Sequence, residues 1–122
     1  MNGEMENVLA TLLKAQTVAR MWHWKVKRLS QHLALGELYD SLTELTDQLA
    51  EMYMGRYGTE GHIELSEPNP FSEQDPLEFV MQLDKFLEDQ KEQIPQDGFI
   101  INKYEEIQGD VSTVLYKLQN LQ

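Results

Sequence analysis

Apolar residues recur along most of this chain at alternating steps of three and four, the period of a helix with one buried face. Met5, Val8, Leu9, Leu12, Ala19, Val26 and Leu29 mark such a stripe and predict a first helix over residues 4–29. The polar stretch Arg28 to Gln31 is the expected break, with no Pro or Gly to fix the boundary. Leu35, Leu38, Leu42, Leu45, Leu49 and Met52 form the seam of a second helix over about 33–57, closed by Gly58 as a left-handed cap. Residues 58–75 carry two Gly and two Pro without a helical period, a long connection by the usual standard of a few residues. Asp75-Pro76-x-Glu78 then opens a third helix with an Asp cap, Pro at the first position and an acid three residues after the cap. Leu77, Val80, Leu83 and Leu87 give this helix its apolar side as far as Ile94, and Pro95 stops it. After a turn at Gln96-Asp97-Gly98, the residues Ile100, Tyr104, Ile107, Val111, Val114, Leu118 and Leu121 mark a fourth helix. Gly109 inside it costs about 1 kcal/mol against Ala and is read as a point of close packing. No stretch alternates with period two. The expectation is an all-α fold, a ferritin-like four-helix bundle with a long connection between helices 2 and 3, forming one domain over residues 1–122.

Composition narrows the function classes. Apolar residues make up 41% and charged residues 25%, the balance of a globular chain, and no apolar run reaches the length of a membrane span. The start Met1-Asn2-Gly3-Glu4 is polar and acidic, unlike a secretory leader, so the expected location is cytoplasmic with no membrane partner. The absence of cysteine excludes disulfides, thiolate metal sites and cysteine nucleophiles. Ten Lys and Arg stand against 21 Asp and Glu, a net charge of −11, which argues against unaided binding to DNA phosphates. Five of the ten cluster at Lys14, Arg20, Lys25, Lys27 and Arg28, towards the C-terminal end of the first helix, where cations complement the helix dipole.

Candidate chemistry gathers around one turn of chain. His23 lies between Trp22 and Trp24 on the stripe of the first helix, and His32 follows the break. Asp40, Asp47 and Glu51, seven and four residues apart, share one face of the second helix, roughly opposite its leucine seam. Imidazole nitrogen and carboxylate oxygen are the ligands that helical bundles offer to iron, manganese and zinc. Gly36, Thr43 and Ala50 make a strip of small residues beside the acids, where a helix of a second subunit can approach, and His32 lies at its edge. Each feature also has a plainer reading. The acids, with Glu44 among them, are a solvated face. His23 is a core histidine bonded to a buried partner, and His62 an exposed loop residue. Trp22 and Trp24 are packing groups, and Tyr39 and Tyr53 belong to the core.

Three segments carry a family resemblance. His23-Trp24-x-Val26-Lys27, Ala34-Leu35-x-Glu37-Leu38-Tyr39-Asp40 and Asp47-x-Leu49-Ala50-Glu51 resemble the Dps miniferritins. Members of that family are four-helix bundles assembled into hollow shells. They oxidise ferrous iron at a site shared across a two-fold subunit interface, and many coat DNA. The resemblance implies a metal set of His23, Asp40, Asp47 and Glu51. The family's second histidine falls on Gly36, and His32, one turn earlier, is the candidate replacement. The stretches His32-x-Ala34-Leu35-Gly36 and Tyr53-x-Gly55-x-Tyr57-Gly58, with Glu105-Glu106-Ile107 and Leu115-Tyr116, are similar to small Dps-related proteins of tailed bacteriophages. The implied function is binding of iron, or another divalent metal, by a homodimer or larger homo-oligomer, with ferroxidase activity at the interface. The competing expectation is a non-enzymatic helical dimer that binds a protein partner and keeps a degenerate metal site.

Overall fold

Four helices account for most of the residues that the computed structural model describes, 3–65 and 69–121. Residues 1, 2 and 122 of the expected chain ends, and 66–68 of the expected connection, lie outside the described residues. The helices are α1 (Glu4–Lys25), α2 (Leu29–Tyr57), α3 (Pro76–Gln90) and α4 (Gly98–Asn120), and there is no strand among the described residues. The all-α expectation holds. Two boundaries move. The first break falls at residues 26–28 rather than 28–31, with Val26 extended (ψ 152°), so Leu29 begins α2 and is 70% exposed instead of closing the α1 stripe. α3 gives up its α-helical bonding at Gln90 and tightens into one 3-10 turn, Lys91–Gln93. Ile94 is then buried in extended form, the conformation that a following Pro imposes.

The caps follow local chemistry. Asp75 accepts a hydrogen bond from the Leu77 amide (3.1 Å), and Pro76 fills the position whose missing N–H costs nothing. Gly58 adopts φ +93° and donates its N–H to Met54 O (2.8 Å), closing α2 where an L side chain is strained. Gly109 is exposed, and a Cβ there would meet no atom within 4 Å, so it is not a point of close packing.

The seam leucines of α2 from Leu35 to Leu49 are all buried, as are Ile100, Tyr104, Ile107, Val111 and Val114 of α4. α1 packs on α2 and α3, and α4 packs on α2 and α3, so the consecutive helices α2 and α3 lie on a diagonal of the bundle. Paired contacts give the directions. Glu6 meets Tyr53, Gln16 meets Leu42 and Arg20 meets Tyr39, so α1 and α2 are antiparallel; Ser41 with Asp110 and Glu37 with Lys117 make α2 and α4 antiparallel. The connection after α2 runs back along α1: Gly61 lies on the Glu6 carboxylate near the start of α1, and Ser72 O accepts the Trp22 indole N–H (3.3 Å) near its end. This path returns the chain to the end where α2 began, and α3 starts there.

One half-buried phenol and one buried phenol set an alkaline limit. Tyr53 donates to Glu6 Oε2 (2.8 Å), and burial, then that hydrogen bond and the carboxylate charge, push its pKa up to about 12. Tyr104 is fully buried and donates to Leu87 O (2.8 Å); burial, with the nearby charge of Glu88, pushes it well above the usual phenol range. The unfolded chain releases both protons near pH 10 while the folded chain retains them, so stability is full below about pH 10 and falls towards pH 12. Urea midpoints compared at pH 9 and pH 11 should drop for the wild type, and drop less in Tyr53→Phe. An equal drop in the variant would refute the assignment.

Candidate metal centre and the histidine clasp

The break between α1 and α2 brings His23 and His32 face to face. Their rings stack with centroids 3.8 Å apart and planes 19° apart. Each ring reaches across to the other's backbone: His23 Nδ1 lies 2.7 Å from His32 O, and His32 Nδ1 lies 2.8 Å from His23 O. A carbonyl oxygen only accepts, so both Nδ1 atoms carry a proton, which leaves Nε2 as the ring nitrogen with a lone pair in the neutral form of each imidazole. His23 O is one of the last carbonyls of α1, and His32 supplies it with a donor. His32 O already belongs to the α2 hydrogen-bond ladder, and the His23 ring that reaches it lies over the residue one turn later. That later residue is Gly36. A Cβ built on Gly36 would stand 2.9 Å from His23 Cε1 and 3.0 Å from His23 Nδ1. The glycine therefore makes room for the His23 ring. The strip expected to receive a helix of a second subunit faces α1 of its own chain: His23 covers Gly36, while Thr43 and Ala50 line an α1–α2 groove with Leu9 and Leu13.

The acids stand where the helical period placed them. Asp40, Asp47 and Glu51 are exposed on α2, and Glu44 continues the row. None of the four has a hydrogen bond or ion pair among the described residues, whereas Glu37 beside them is neutralised by Lys117 (2.6 Å). Within one chain the row and the histidines do not converge: among the described residues no three His, Asp or Glu side chains are grouped so as to hold a metal ion.

The aromatic residues of the segment divide. Trp22 is buried, with the Lys25 ammonium 4.8 Å from its ring centroid. Trp24 is 69% exposed and so is not a packing group of this chain. The Arg20 guanidinium lies 5.7 Å from the Trp24 centroid and 4.5 Å from that of Tyr39, whose hydroxyl it also bonds. His62 is exposed, as expected for a loop histidine.

One polar cluster has no signal in the periodicity. Glu6 lies on the side of α1 that the stripe assigns to solvent, yet it is only 6% exposed because the connection passes over it at Gly61. Its Oε1 has no partner among the described residues, and Oε2 depends on the Tyr53 hydroxyl. No sequence pattern announces where a loop will lie.

A family of unknown function, DUF5856, matches residues 23–118, a span that opens on His23 and includes all five candidate ligands. No curated protein and no solved structure matches the chain.

Proposed function

For a chain that belongs to DUF5856, we propose a ferritin-like bundle that binds a divalent metal, iron first, at a site completed by a second copy. The observation that carries this reading is the fixing of both imidazoles. A histidine that ligates a metal characteristically donates its other ring N–H to a carbonyl or carboxylate, and His23 and His32 do this at Nδ1, which leaves Nε2 as the nitrogen that would ligate. The donor chemistry fits iron, manganese or zinc. The number of donors gathered by one chain does not, so Asp40, Asp47 and Glu51 would act across an interface. Bound iron would supply one-electron chemistry, and the anionic oxygens of these side chains would favour its ferric state. The diagonal placement of α2 and α3, joined by a connection laid along α1, supports the ferritin-like reading of the bundle.

Anaerobic titration of the full chain with ferrous iron, followed by calorimetry, tests the proposal. Saturable binding at about one or two ions per pair of chains is expected, as in carboxylate-bridged bundle sites, followed by ferric absorbance on admitting air. Glu51→Ala should lose the binding and keep the helical fold. Heat no greater than buffer, or an unchanged isotherm in Glu51→Ala, would overturn the reading.

A second reading is favoured by the clasp itself. Stacked on each other and bonded to backbone, the two rings already serve as a fastener between α1 and α2, which suits a non-enzymatic helical module that binds a protein partner.

A further inference from the structure

The stacking of the two imidazoles limits what they can bind together. A metal ion lies in the plane of each imidazole that ligates it, about 2 Å from the nitrogen. The planes of His23 and His32 are tilted by only 19° at a centroid separation of 3.8 Å, so they meet no nearer than about 10 Å from the rings. While the clasp is closed, one ion cannot take both Nε2 lone pairs. The two hydrogen bonds of the clasp are also unequal. His23 O is left without a helical donor because the chain leaves α1 at Val26, and the His32 Nδ1–H replaces that donor. His32 O keeps its place in the α2 ladder, so the His23 Nδ1–H is a second donor that the backbone does not need. The His23 ring is nevertheless fixed on two sides. One face lies on His32, and the Nδ1–Cε1 edge fills the space that a Cβ on Gly36 would take; the three nearest atoms such a Cβ would meet all belong to His23. A glycine inside a helix is otherwise unfavourable. The backbone uses the bond that His32 donates, whereas room is kept in α2 for the ring of His23.

We infer that His23 is the one imidazole this chain gives to a metal ion, and that His32 is a positioning residue that holds the His23 ring and its tautomer. The inference rests on the metal reading above and narrows it from two histidines to one. His32 acts through His23 in three ways. Its carbonyl takes the Nδ1 proton and so leaves Nε2 for the ion, its ring backs the His23 ring, and its own Nδ1–H pins the end of α1 from which His23 projects. None of these tasks uses a lone pair at His32 Nε2. His32 therefore does not stand in for the second histidine of the miniferritin pattern, whose place Gly36 occupies.

Two measurements on the full chain test the division of roles: anaerobic ferrous titration by calorimetry, and proton NMR of the chain loaded with Co2+. Both use a His62→Gln background, which removes the third histidine of the sequence. Each imidazole bound to Co2+ gives one exchangeable ring N–H resonance shifted far outside the ordinary range. One such resonance is expected, absent in His23→Asn and present in His32→Asn. Asparagine carries an amide N–H near the place of Nδ1 and has nothing at Nε2. His32→Asn should therefore bind ferrous iron within about threefold of the parent chain, whereas His32→Ala, which loses both the stack and the donor, should bind it about 10–100-fold more weakly. His23→Asn should lose saturable binding. Two shifted resonances in the parent chain, equal losses in His32→Asn and His32→Ala, or binding that survives His23→Asn would overturn the assignment and leave the metal reading standing. Failure of the parent chain to bind either ion would overturn the metal reading, and the assignment with it.

Discussion

Phe79→Ala should lower the unfolding free energy by about 3–5 kcal/mol. Phe79 has no exposed surface, so truncation removes the buried ring and leaves a void that fixed neighbours fill poorly. Its ring also meets that of Phe71 in a T-shaped contact, with centroids 5.1 Å apart and planes at 78°. That contact ties the end of the connection to α3 and adds about 0.5–1.5 kcal/mol beyond burial. Domains of this size have about 5–15 kcal/mol in total, so the variant should unfold at much lower guanidinium concentration with its cooperativity retained. A loss below about 1.5 kcal/mol would mean that the ring is not held as described.

Gly36→Val should destabilise by about 2–4 kcal/mol, although valine is the better helix former. The new Cβ falls 2.9 Å from His23 Cε1, and the ring can leave only by giving up its stack on His32 and its hydrogen bond to His32 O. An overpacked contact costs about 1–3 kcal/mol and each lost hydrogen bond about 1. The decisive comparison is the same substitution in a His23→Ala background. With the ring removed, valine should be neutral or mildly stabilising, and the change of sign measures the coupling directly. Equal costs in both backgrounds would show that Gly36 is needed for some other reason.

The glycine illustrates where reading the sequence succeeds and where it stops. Leu35, Leu38, Leu42, Leu45 and Leu49 disclose their burial through spacing alone, and the exposure of Asp40, Asp47 and Glu51 follows from the same geometry. Asp75-Pro76 and Gly58 mark helix ends because their conformational preferences are local. The α1–α2 break is not local. Neither proline nor glycine sits at residues 26–28, and the turn is held by two imidazoles nine residues apart that contact each other only after the chain has reversed. Aligned on a ligand pattern, Gly36 reads as a lost histidine; in the fold it is the space that His23 occupies. Phe79 is missing from the stripe read for α3, although it stands one turn before Leu83 and is fully buried against Phe71. Glu6 and Trp24 exchange their expected environments for a simpler reason. The connection covers Glu6 at Gly61, while Trp24 lies beyond Trp22, where the connection makes its bond to the end of α1.

The course of that connection has a thermodynamic consequence for the whole molecule. An α1–α2 hairpin and an α3–α4 hairpin, joined by a strand of chain spanning solvent, could melt one after the other. Here the joining segment touches α1 at Glu6 through Gly61 and at Trp22 through Ser72, and Phe71 packs on Phe79, so separating the hairpins also strips contacts from the first of them. Opening either half exposes the surface that stabilises the other. The bundle should therefore unfold as one cooperative unit, in a single transition in which the loop is as much a part of the folded state as the helices it joins.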